Sequence, residues 1–204
     1  MAYFLLGLLY AFAAAVQPGP FQAYLISQSL AHGWRRTVLA AFAPLLSDGP
    51  IIVLVLFILS TLPSWLMHAL QFAGGLFLIY LAAGAYQTWR HFNERRDEAV
   101  PSGRQNLLKA ATVNLLNPNP YLGWGLVMGP LLLKGWRESP GNGVALLVGF
   151  YGSTIVLTAG IVILFSAARS LGPRVNRVLV GVSAIALAGF GLYQLWQGLA
   201  LLRV

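Results

Sequence analysis

Six apolar runs, near residues 3–27, 37–60, 69–89, 111–133, 144–166 and 178–202, limit what this chain can become more than any other feature. Each approaches the ~20 residues a helix needs to cross about 30 Å of hydrocarbon. In that solvent every backbone polar group must be satisfied within the segment, so the runs are expected to be helices. Only 9% of the 204 residues are charged, against about a quarter in a soluble domain. The expected fold is an all-α integral membrane protein with six transmembrane helices.

The formal charge of +8 does not point to nucleic acid, because the basic residues fall between the runs and form no stripe with interleaved aromatics. Ten of them, including Arg35, Arg36, Arg95, Arg96, Lys109, Arg169 and Arg177, follow runs one, three and five. Lys134, Arg137 and Arg203 lie on the other side. The positive-inside rule therefore places both termini outside the cytoplasm. Five tryptophans lie near run ends, as interfacial anchors do, and Trp124 is the exception. Residues 1–15 carry no basic n-region, so a cleavable signal peptide is not expected. There is no cysteine, which excludes thiol chemistry and thiolate metal ligation.

Within this frame the chain repeats itself. Pro18-Gly19-Pro20-Phe21 returns as Pro118-Asn119-Pro120-Tyr121, Gly33-Trp34-Arg35 as Gly135-Trp136-Arg137, and Gly84-Ala85-Tyr86-Gln87-Thr88-Trp89 as Gly191-Leu192-Tyr193-Gln194-Leu195-Trp196. Three landmarks in one order, at slowly drifting offsets, indicate an internal duplication. The expected organisation is a three-helix repeat over 1–89, a cytoplasmic linker over 90–109 containing Glu94, Asp97 and Glu98, and a second three-helix repeat over 110–204. An odd number of helices per copy makes the repeats inverted, a recurring design of secondary transporters whose sites lie at the repeat interface.

Proline inside a helix removes a donor and clashes with the preceding turn, so helices 1 and 4 are expected to break at their Pro-x-Pro motifs. With Pro20 and Pro120 in the first turn of the second half-helices, free N–H groups at the midplane favour an anion, and the carbonyls before each break favour a cation. Gln17, Pro18, Gly19, Asn117, Pro118, Asn119 and Tyr121 complete the candidate binding set, with Gln22 and Asn114 able either to orient a ligand or to satisfy freed backbone groups. Tyr24, Tyr151 and Trp124 either line a cavity or pack. Asp48 is the only acidic residue within a run, where a charge costs roughly 2.5–3.5 kcal/mol on insertion scales. It is read as a proton-coupling site or a counter-charge for a substrate ammonium, against the plainer alternative of capping a kink at Asp48-Gly49-Pro50. Gly74, Gly75, Gly84, Gly181, Gly189 and Gly191 are expected to allow close helix approach. His32, His68 and His91 are too scattered for metal ligation, and no cofactor is implied.

Six spans, Gln17-Pro18-Gly19-Pro20 in the first, a glycine-rich third and Asn117-Pro118 in the fourth resemble the LysE-type amino-acid exporters, the lysine exporter and homoserine/threonine efflux superfamily of bacterial inner membranes. The resemblance covers nearly the whole chain. It implies proton-driven export of an amino acid or related zwitterion, with Pro18, Gly19 and Pro20 matching the family's Pro-Gly-Pro, Asp48 its acidic position in span two, and Asn117-Pro118 its Asn-Pro-Lys. Asn119 stands where that motif has lysine. The implied partners are a small amino acid, protons and the bilayer, with no nucleic acid and with a homodimer as an assembly left open. The main alternative is a divalent or heavy-metal cation exporter, for which a single buried carboxylate is a poor ligand set. An enzyme is not expected, since no catalytic constellation shares one depth.

Overall fold

The computed structural model describes residues 1–58, 64–92 and 101–199. The acidic linker residues Glu94, Asp97 and Glu98, together with Arg95, Arg96 and Arg203, lie outside the described residues. Among those described, every regular element is helical.

Helix α1 (Ala2–Val16) ends before Pro18, and α2 (Pro20–His32) starts with Pro20 at its first position, where its fixed φ and missing N–H are tolerated. The two meet at 67°. After Gly33, α3 (Trp34–Thr37), a 3-10 segment (Val38–Phe42) and α4 (Ala43–Val53) run on into a π turn (Leu54–Ile58). The helix passes through Pro50 and widens into the π turn four residues later. The long α5 (Ser64–Arg90) completes the first half of the described chain. Then follow α6 (Gly103–Leu115), α7 (Pro118–Gly123), a second π turn (Trp124–Met128), α8 (Gly129–Glu138), α9 (Pro140–Ala167), a 3-10 turn (Ala168–Leu171) and α10 (Pro173–Gly198).

Four helices, Trp34–Leu56, Trp65–Arg90, Pro140–Leu171 and Pro173–Gly198, are long and apolar enough to cross a membrane, and the bent pair α1/α2 makes a fifth if taken as one span. The run at 111–133 differs from expectation. It is divided among α6, α7, the π turn and α8, so it forms no single long helix of that kind.

The packing pairs elements from the two halves. In α1 and α9, Phe4 and Gly7 lie against Gly149 and Phe150, while Ala15 shares a groove with Leu157, so these helices run parallel. In α6 and the α3–α4 segment, Gly103 abuts Leu39, Asn106 donates to the Arg36 carbonyl and Asn114 to Ser47, which is again parallel. The third pair, α5 and α10, is antiparallel: Phe72 meets Gly198, Ile79 meets Gly191 and Trp89 meets Gly181.

Glycine makes this last crossing close. A Cβ on Gly75 falls 2.8 Å from the Gly191 carbonyl and 2.7 Å from Leu195. Gly74, Gly181 and Gly191 are similarly crowded. Gly84 and Gly189 face nothing within 4 Å, which corrects the expectation that all six serve close approach. The landmarks also divide. Tyr86 and Trp89 pair their rings as Tyr193 and Trp196 do. Gly33, however, ends a helix at φ 80°, whereas Gly135 lies inside α8.

Two apolar clusters flank the middle of the bundle. One gathers Phe21, Tyr24, Leu25, Leu78, Val162 and Leu187. The other gathers Ala11, Ile51, Tyr121, Trp124, Met128 and Phe150.

Candidate functional site

Between these clusters lies a cavity of about 140 Å³ into which both helix breaks open. That size is close to the roughly 150 Å³ void known to accept benzene. Gln17, Pro18, Gly19, Asp48, Asn117, Asn119 and Pro120 all line it, so seven of the ten expected site residues converge. Pro20, Pro118 and Tyr121 are not in the lining.

The two breaks are repaired in the same manner by different groups. A helix leaves its last carbonyls unpaired. In the first break the Gln22 amide reaches back to donate to the Ala14 carbonyl at 3.0 Å, its oxygen folded over Gly19. In the second the Tyr121 hydroxyl donates to the Leu115 carbonyl at 2.9 Å. Gln22 and Tyr121 thus serve the backbone. The helix starts differ. Asn117 caps α7 by accepting from the Asn119 amide at 3.1 Å, whereas the α2 N-cap, Gly19, offers no side chain. The Phe21 and Gln22 amides therefore remain as orphan donors of the first turn. Pro118 rather than Pro120 occupies the first position of α7, so this break falls two residues earlier in its motif than the first.

Asp48 sits in α4 with 3% of its surface exposed. Its carboxylate accepts from Asn114 Nδ2 at 3.1 Å, from Trp124 Nε1 at 3.2 Å and from the Tyr151 hydroxyl at 3.3 Å. These donors come from α6, the second π turn and α9. The plainer alternative, local backbone capping of a kink, is not what the structure shows. Asn114 also donates to the Ser47 hydroxyl at 2.7 Å, which itself donates to the Ala43 carbonyl at 3.1 Å. Asn114, which donates both to Asp48 and to Ser47, thereby fixes the orientation of the carboxylate. All of these partners are neutral, and no Lys, Arg or His among the described residues lines the cavity. A buried carboxylate without a cation is costly.

Thr154 and Thr158 of α9 add hydroxyls to the lining, and Thr154 Oγ1 is buried with no partner. Trp124 and Tyr151 were the harder residues to foresee. The one available signal was that Trp124 alone among the tryptophans lies away from a run end. Tyr24 does not reach the cavity; its hydroxyl donates to Asn106 Oδ1 at 3.4 Å within the first cluster. Among the described residues no three His, Cys, Asp or Glu gather as metal ligands would.

A multi-pass helical bundle with a broken helix over a polar central cavity is the architecture of a membrane translocator. The LysE type translocator family model matches residues 12–198, and the chain belongs to that family. No curated protein and no solved structure matches it at a significant level.

Proposed function

We propose that the protein exports a small amino acid or related zwitterionic metabolite from the cytoplasm, driven by protons, and that it catalyses no covalent chemistry. The observation that carries this reading is Asp48, the one buried carboxylate among the described residues, held by three neutral donors beside a cavity that none of the described Lys, Arg or His residues lines. Such a group takes either a proton or the ammonium of a ligand. The uncapped first turn of α2 supplies amides for the ligand's carboxylate. On this reading Gln17, Pro18, Gly19, Asn117, Asn119 and Pro120 shape the pocket, and Pro20, Pro118 and Tyr121 hold the two breaks.

The six-span inverted duplication is part of the same proposal. It is supported by parallel packing of α1 on α9 and of α6 on α4, the arrangement expected when the first helix of each repeat lies along the second helix of the other. The antiparallel α5/α10 pair agrees with opposite insertion of the repeats. The proposed location is the inner membrane of a bacterium, with both termini outside the cytoplasm.

The test is a thermal-shift screen of the purified protein against amino acids, polyamines and divalent metals, with Asp48→Asn alongside. Stabilisation by a small amino acid that is lost in the variant supports the proposal. Stabilisation by a metal alone moves the reading to cation export.

A further inference from the structure

A second recess, of about 690 Å³, opens at the end of the bundle where the basic residues gather. Residues from four separate parts of the chain meet there: Ser27 on α2, Lys109 on α6, Arg169 on the 3-10 turn after α9, and Asn176 on α10. Arg36 lines it as well. Of the two acidic residues among those described, Asp48 and Glu138, neither does. Low-dielectric walls lined by one sign of charge focus the field and concentrate counter-ions.

Topogenesis accounts for basic residues at this end but not for what lies beneath them. Ser27 is 1% exposed and Asn176 6% exposed, and both line the recess. Ser27 Oγ and Asn176 Oδ1 nevertheless have no hydrogen-bond partner. Buried polar atoms are nearly always paired, so two orphans on residues that line one recess point to a ligand there. Together the cations, a hydroxyl donor and a free amide acceptor match a small molecule that carries both a carboxylate and a donor group.

We propose that this recess is a binding site for the carboxylate of a small soluble zwitterion, a loading station on the cytoplasmic side from which the ligand passes to the Asp48 cavity. The loading role rests on the export reading above; the anion site does not. The cluster of Phe21, Tyr24, Leu78, Leu81, Ala85 and Val162 lies between, with Phe21 lining the inner cavity and Leu81 and Ala85 lining the recess.

The absence of native cysteine allows a direct test. Gln87 is exposed in the recess lining, so the Gln87→Cys thiol can be titrated with anionic and cationic methanethiosulfonates in the full-length protein. The anionic reagent is expected to react about tenfold faster. Acetate and glycine should slow it, and ethylammonium should not. Adding Lys109→Gln and Arg169→Gln should bring the two reagents to one rate and remove the protection. Equal rates in the parent, or no protection by acetate, would overturn the site, and neither readout depends on the charge variants folding. Protection seen only in nanodiscs containing phosphatidylglycerol and insensitive to acetate would also overturn it, since the ligand would then be a lipid headgroup. Asp48→Asn should leave acetate protection unchanged. Acetate protection without amino-acid efflux from proteoliposomes would sink export and leave the anion site standing. Efflux without protection would do the reverse.

Discussion

Trp124 donates its indole N–H to Asp48 across 3.2 Å and so ties the π turn after the second helix break to the middle of α4. A hydrogen bond to a charged group contributes about 1.5–3 kcal/mol. Trp124→Phe keeps most of the ring volume and is expected to cost about 2 kcal/mol, measured by denaturant unfolding in mixed micelles. Tyr151→Phe removes a second donor to the same oxygen. The double variant should lose more than the two single losses together, because in each single variant the remaining donor can tighten onto the carboxylate and in the double variant neither is left.

Asp48→Asn separates coupling from folding. Asparagine fills the same volume and still offers one oxygen to the donors around it, so the protein should purify as a folded species. Efflux driven by a pH gradient from preloaded proteoliposomes is expected to fall to the protein-free background. Unchanged gradient-driven efflux would remove Asp48 from the proposed coupling role.

The α5/α10 crossing gives a packing prediction with its own control. Gly75→Ala places a methyl 2.8 Å from the Gly191 carbonyl and should destabilise by about 1–3 kcal/mol. Gly189→Ala meets nothing within 4 Å and should be neutral or, through helix propensity, stabilising by up to about 1 kcal/mol. Melting temperatures of the two variants in one detergent decide the matter.

Asn117 and Asn119 stand in one motif but face different tests. Asn117→Ala uncaps α7 and should cost about 1 kcal/mol, seen as a lower melting temperature. Asn119 lines the central cavity and is exposed, so Asn119→Lys brings a cation to the cavity that holds Asp48. That variant should compete better for substrates with an extra carboxylate and worse for cationic ones, as inhibition of radiolabelled efflux would report.

The proline spacing made both breaks legible because proline acts locally, through its own missing amide. Asp48 stood out for an equally simple reason, as the only acid in six apolar runs. Its partners were much less visible: an indole in an apolar helix reads the same whether it packs or donates, and Trp124 does both. The run at 111–133 looked like one crossing because hydropathy averages over breaks, and the structure divides it at Leu116-Asn117 and again at the π turn. The basic recess could not be read at all, since Ser27, Lys109, Arg169 and Asn176 are brought together only by tertiary packing.

The two repaired breaks carry a consequence for motion. One joint is fastened by the long, freely rotating amide of Gln22 and turns through 67°; the other is fastened by the rigid phenol of Tyr121 and has a capped helix behind it. Hinges of matched stiffness would give two equivalent resting postures, related by a two-fold rotation about an axis in the membrane plane. These are unmatched, so on the proposed export reading the first hinge is the one expected to swing while the second serves as its anvil, which would give the cycle a preferred posture.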